Sequence, residues 1–196
     1  MVKLFLFGVL FIATIALSSQ EPLKVSVFYE SLCPDSIRFI TQQLAPNYDA
    51  LAEKIFVDFV PYGKATHELI DDKWHFECQH GENECYGNMM QACGLNETDD
   101  QATQVKFIDC VMSASYPASD ASMEECAIAS GISWDNMVEC SKNGVGAKLL
   151  AAYGDRTHAV EPTITFVPTI IYNDVYDADK QQGSLVDFLN TVLNQL

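Results

Sequence analysis

The chain has 196 residues, 48% of them hydrophobic, which suits one domain or one domain with a large insertion. Lys and Arg number 11 against 27 Asp and Glu, a net charge of −16, and so acidic a surface argues against nucleic acid as a partner. Cysteines number seven, an odd count, so pairing in an oxidising compartment leaves at least one thiol over.

Residues Met1 to Ser18 read as a cleaved targeting segment, with the domain running from residue 19 to 196. Lys3 supplies the positive start, and Ala16 and Ser18 are small residues suited to cleavage. The apolar run Leu4 to Leu17 is shorter than the ~20 residues needed to span a bilayer. The mature protein is therefore expected in the secretory route, either secreted or in endosomes and lysosomes, with no membrane contact.

Lys24 to Tyr29 alternates and is rich in valine and aromatics, which predicts a strand. Cys33-Pro34-Asp35-Ser36 follows. Pro34 suits the first position of a helix, where its missing N–H would have had no partner. Ile37, Ile40 and Leu44 then form a core-facing stripe, and Pro46 is expected to kink or end the helix. Ile55 to Pro61 predicts a second, central strand. This order is a βαβ unit with a parallel pair and a right-handed crossover. Cys33 thus falls at a strand-to-helix junction, where unpaired backbone N–H groups favour a thiolate.

Residues 62 to 143 differ in character. They hold Cys78, Cys85, Cys93, Cys110, Cys126 and Cys140, with short helices expected over 88–93, 101–113, 122–129 and 134–140. A helical subdomain of this size has a thin core, which disulfides would reinforce. The simplest accounting is three disulfides inside the block and a free Cys33, although the pairing is open and a second free thiol is compatible with the count. A zinc site built from His75, Cys78, His80 and Cys85 fits no common ligand spacing, so no metal is expected. Asn96-Glu97-Thr98 is an N-glycosylation sequon, which makes Asn96 a candidate glycan site.

Gly146 to Tyr153 predicts a helix stopped by Gly154. Thr165 to Tyr172 predicts a strand entered through Pro168, Asn173-Asp174 a turn, and Val175-Tyr176 the return strand of a hairpin. Ser184 to Leu196 predicts a final amphipathic helix. These pieces lay out an α/β protein of thioredoxin-like fold, with a disulfide-rich helical insertion after the second strand. In that layout Pro168 lies beside the start of the Cys33 helix, where a cis proline is expected.

The segment Cys78-Gln79-His80-Gly81-Glu82-Asn83-Glu84-Cys85, followed by Asn88 and Cys93, resembles the signature of the gamma-interferon-inducible lysosomal thiol reductase (GILT) family. The resemblance extends over essentially the whole mature chain. It implies a thioredoxin-like fold, a secreted or endolysosomal location and reduction of protein disulfides at acidic pH. Residue by residue, Cys33 matches the nucleophilic cysteine and Pro168 the proline beside it. Ser36 stands where mammalian members of the family carry the resolving cysteine. Cys78, Gln79, His80, Gly81 and Cys85 match residues with structural roles, and His80 is read as a hydrogen-bonding residue, with a catalytic base as the alternative.

A dithiol enzyme clears its own mixed disulfide, because the second thiol attacks from within at high effective concentration. With Ser36 only the first half of that chemistry remains. Turnover is then expected to need an external thiol such as glutathione or cysteine, with no bound cofactor. A hydrogen bond from the Ser36 hydroxyl to the Cys33 sulfur would favour the thiolate, and Asp35 would oppose it. The substrates would be disulfide-containing proteins in host defence or protein processing, and the protein would be a monomer. Two other readings stand beside this one. The chain is a non-catalytic, secreted thioredoxin-like binding or immune factor, or a dimer linked through Cys33.

Overall fold

The computed structural model describes residues 21–196, so the targeting segment Met1–Ser18 lies outside the described residues. Strand β1 (Leu23–Tyr29) is the centre of a three-stranded sheet. It pairs in parallel with β2 (Ile55–Pro61), from Leu23 opposite Ile55 to Tyr29 opposite Pro61. On its other side it pairs antiparallel with β5 (Thr169–Tyr172), Val25 facing Tyr172 and Phe28 facing Thr169. The strong valine and aromatic content of β1 follows from this position, since a strand flanked on both edges and covered on both faces has few polar sites.

The crossover from β1 to β2 is one continuous helical run. It comprises α1 (Pro34–Phe39), a π-helical turn (Ile40–Leu44) and α2 (Ala45–Leu51). Pro46 neither ends the run nor stands alone in it. The π turn directly precedes it, with the Ala45 N–H reaching back to the Ile40 carbonyl, and the Asn47 side chain donates to the Gln43 carbonyl at 2.7 Å. Phe39, Ile40 and Leu44 face the core, and Phe39 meets Phe188 edge-on with centroids 5.6 Å apart.

The insertion opens with an antiparallel hairpin, β3 (Thr66–Ile70) and β4 (Lys73–Glu77), that the sequence reading lacked. Four helices follow: α3 (Glu82–Asn96), α4 (Gln101–Ser113), α5 (Asp120–Ser130) and α6 (Trp134–Lys142). The side chains of Asp100, Ser119 and Ser133 accept the amides of Thr103, Ser122 and Asn136 and so cap the last three of these. The expected thin, separate core is not what forms. One apolar cluster runs from Val25 and Val57 through Met90, Phe107 and Ile108 to Met123 and Met137, so the insertion shares the core of the domain. Two disulfides, Cys93–Cys140 and Cys110–Cys126, staple that shared core, and the third, Cys78–Cys85, closes the loop between β4 and α3.

Helix α7 (Val145–His158) runs past Gly154 instead of stopping there. A Cβ at Gly154 would sit 2.6 Å from atoms of both His67 and Tyr62, so the glycine permits close packing onto the hairpin and β2 side. The chain ends in α8 (Ala178–Val186) and α9 (Phe188–Leu193), two helices where one was expected. Asp187 breaks them and caps α9 through the Asn190 amide. The expected return strand reduces to a single bridge between Tyr172 and Val175 across the Asn173-Asp174 turn.

Candidate active site

Cys33 is the N-cap residue of α1, with an extended backbone (φ −71°, ψ 120°), and Pro34 occupies the first turn. Among the described residues Cys33 is the free cysteine; the other six are paired. It is 8% exposed, and its thiol donates to the Val167 carbonyl at 3.7 Å. The proline segment and the helix start meet at the sulfur as the layout predicts, and the Val167–Pro168 bond is cis.

Two details of the motif differ from the sequence reading. Ser36 is fully buried, and its hydroxyl oxygen accepts the Glu30 amide at 3.4 Å instead of donating to Cys33. Asp35 does not act as a lone negative charge, because Arg38 pairs with it at 2.6 Å on the exposed side of the helix. The Cys33 amide closes the turn by donating to the Glu30 carbonyl at 3.3 Å.

The proline segment is held from behind by Gln181 of α8, a residue the sequence did not single out. Gln181 donates to the Pro168 carbonyl at 2.9 Å and accepts the Ile170 amide at 2.7 Å, both bonds buried. A small cleft of ≈ 280 Å³, lined in part by Thr163, Phe166, Thr169 and Gln181, flanks the segment. Phe166 is exposed there. A larger groove, ≈ 830 Å³, lies elsewhere, on the hairpin face around His67, His75 and Glu82, and includes none of Cys33, Ser36 or Pro168. The chemistry follows the thiol, not the larger groove, because an exchange site needs only an approach to one sulfur.

The signature segment sits directly behind the motif. Cys78 and Cys85 are consumed in a disulfide, so the zinc set considered above has no thiolates to offer. His80 Nδ1 lies 2.5 Å from Glu84 Oε2, and the His80 amide donates to Glu84 Oε1 at 3.0 Å. Glu30, fully buried, joins this pair with Oε2 at 3.6 Å from His80 Nδ1. Among the described residues, Glu30, His80 and Glu84 are the grouping whose ligand-type atoms come within 4.8 Å of one another. His80 and Glu84 are hydrogen-bonded to each other, and Glu30 Oε2 faces the pair without a hydrogen bond of its own. Asn88 of the signature also reaches the motif, accepting the Ser31 amide at 2.8 Å. Asn96 is exposed as the last residue of α3, where a glycan would meet no obstruction from the core.

A model of the family described as Gamma interferon inducible lysosomal thiol reductase (GILT) matches residues 24–130, a span that holds both the Cys33 motif and the Cys78–Cys85 signature. The chain belongs to this family. GILT-like protein 1 of Drosophila melanogaster is 33% identical over 89% of this chain and 75% of its own length. The gamma-interferon-inducible lysosomal thiol reductase of Carassius auratus is 32% identical over 89% of this chain and 68% of its own. Among solved structures, BdbD from Bacillus subtilis superposes with a TM-score of 0.63 at 13% identity, covering 90% of this chain and 86% of that one. Chlamydia trachomatis DsbA gives 0.63 at 11% identity over 96% and 98%. These likenesses establish the thioredoxin-like fold with its helical insertion. Membership of the GILT family places the chain among thiol oxidoreductases. No helix among the described residues is long and apolar enough to cross a membrane.

Proposed function

We propose that this chain is a single-cysteine thiol–disulfide oxidoreductase that reduces or exchanges disulfides in protein substrates and depends on an external thiol for turnover. The observation that carries the reading is a free Cys33 at a helix start against the Val167–Pro168 segment, with Ser36 three residues on. The Cys33 thiolate attacks one sulfur of a substrate disulfide, forming a mixed disulfide and releasing the other sulfur as a thiolate that takes up a proton. A glutathione or cysteine thiolate then attacks the Cys33 sulfur of the mixed disulfide, releasing the second substrate thiolate and leaving Cys33 bonded to the small thiol; a second small thiolate attacks that bond, forms the small-molecule disulfide and returns Cys33 to its thiolate. Full reduction of one substrate disulfide consumes two external thiols and yields one small-molecule disulfide. The family name and the targeting segment favour a secreted or endolysosomal site of action, in protein processing or host defence, with the protein working as a monomer.

The burial of Cys33 favours a second reading, a secreted thioredoxin-like factor that binds without chemistry. The two separate on thiol dependence. Under the first, incubation with a disulfide substrate and limiting glutathione traps Cys33 in a mixed disulfide visible by intact mass. Turnover then rises with glutathione concentration. An unmodified Cys33 after prolonged incubation would favour the binding reading.

A further inference from the structure

Glu30 stands three residues before Cys33 and touches the motif at both ends. Its carbonyl accepts the Cys33 amide at 3.3 Å, and its amide donates to Ser36 Oγ at 3.4 Å. Its side chain points the other way, into the insertion. Oε1 accepts the Lys64 amide at 2.8 Å, while Oε2 has no hydrogen-bond partner and faces His80 Nδ1 at 3.6 Å. The slot is built for this side chain. Gly63 has φ +65°, and a Cβ there would lie 2.1 Å from Glu30 Cγ. The next residue, Ser31, is anchored too, its amide to Asn88 and its hydroxyl to the Glu84 carbonyl.

We propose that Glu30, wedged between the Cys33–Ser36 motif and the His80–Glu84 pair, is the positioning residue through which the signature segment sets the geometry of Cys33. The inference deepens the exchange reading and rests on it for its functional meaning, but its geometric content stands apart from turnover. Disulfide Cys78–Cys85 fixes the loop that carries His80, His80 and Glu84 fix the wall that Glu30 leans on, and the Glu30 backbone fixes the motif.

The brace depends on a proton. The charged groups that face the Glu30 carboxyl are Lys64 from the loop after β2, His80 from the signature loop and Glu84 from the first turn of α3. Burial pushes the Glu30 carboxyl up; the Lys64 amide opposes this and Glu84 reinforces it. With Glu30 neutral, its side chain brings no charge into the slot beside the His80–Glu84 pair. Once Glu30 ionises, Oε2 is a buried charge with no hydrogen-bond partner, and an uncompensated buried charge is costly. Glu30→Gln keeps the shape and the neutral state at every pH, whereas Glu30→Ala removes the side-chain anchor altogether.

Amide hydrogen exchange of the full secreted chain, read on peptides covering Glu30 to Ser36 and corrected for intrinsic rates, tests this without requiring activity. Wild type is expected to lose protection there by about three-fold or more between about pH 4.5 and pH 7. Glu30→Gln should hold its protection across that range, and Glu30→Ala should lack it throughout, with peptides around Cys93 and Cys140 unchanged in all three. Wild-type protection in Glu30→Ala, or the wild-type pH dependence in Glu30→Gln, would overturn the proposal. If exchange behaves as expected while Cys33 proves chemically idle, the exchange reading fails and the brace stands.

Discussion

The thiol of Cys33 and the carbonyl of Val167 lie 3.7 Å apart, although 134 residues separate them in the chain. One comes from the helix that follows β1, the other from the segment that leads into β5, and the antiparallel pairing of β1 with β5 brings them together. The site is therefore a product of sheet topology, and its working parts are held from several directions.

Gln181 is one of those supports. Gln181→Ala leaves the Pro168 carbonyl and the Ile170 amide buried without partners, at about 1–3 kcal/mol each. Chemical denaturation should show a loss of about 2–6 kcal/mol, and thiol exchange should slow well beyond what the lost stability explains. An exchange rate equal to wild type would show that the proline segment needs no fixing.

Ser36→Cys introduces a second thiol into a buried position of nearly the same size. The variant should form an internal disulfide with Cys33 and clear mixed disulfides itself. Its turnover at low glutathione should exceed that of wild type by about ten-fold or more, the advantage of an intramolecular attack. Rates measured across a glutathione series check this. A glutathione dependence identical to wild type would mean that the two side chains cannot meet.

The disulfides should contribute unequally. On the chain-entropy account, closing 47 residues between Cys93 and Cys140 is worth about 4 kcal/mol. Closing 16 between Cys110 and Cys126 is worth about 3, and closing 7 between Cys78 and Cys85 about 2. Paired Cys→Ala variants, compared by denaturant unfolding, should follow that order in stability. Loss of Cys78–Cys85 should instead stand out in the protection of the Glu30–Ser36 segment, because that bond anchors His80.

The raised Glu30 carboxyl has a stability signature of definite sign. Folding tightens its hold on a proton, so its contribution is complete below the ordinary carboxylate value of about 4.3 and is lost as pH rises through the raised value. Glu30→Gln does not titrate. The difference in Tm, variant minus wild type, should therefore grow as pH rises from acid to neutral. A difference constant with pH would place Glu30 in an ordinary, well-solvated environment. Asp109, also pushed up by burial, should behave alike in Asp109→Asn.

Much of this arrangement is legible in the residues. β1 and β2 carry dense apolar patterns because both are buried strands, and Pro34 marks the helix start because its missing N–H has no partner to lose there. The β3–β4 hairpin escapes notice because its faces are largely exposed, so Thr66–Ile70 has no core-facing alternation. Its turn, Asp71-Asp72, has positive φ at both residues, as does Asn173-Asp174, but the second lacks strands long enough to form a ladder. The Glu30–His80–Glu84 cluster is hidden for a different reason. Charged residues are ordinarily solvated, and nothing in Tyr29-Glu30-Ser31 announces a carboxylate turned inward. The clue available was Gly63, whose role becomes evident only once its neighbour is known.

The most direct test of the account is turnover of a model protein disulfide at acidic pH with glutathione in excess, comparing wild type with Cys33→Ser. The account predicts that wild type accelerates reduction and that Cys33→Ser falls to the glutathione background while keeping the wild-type Tm within a few degrees. Equal acceleration by both proteins, or none by either, would contradict it.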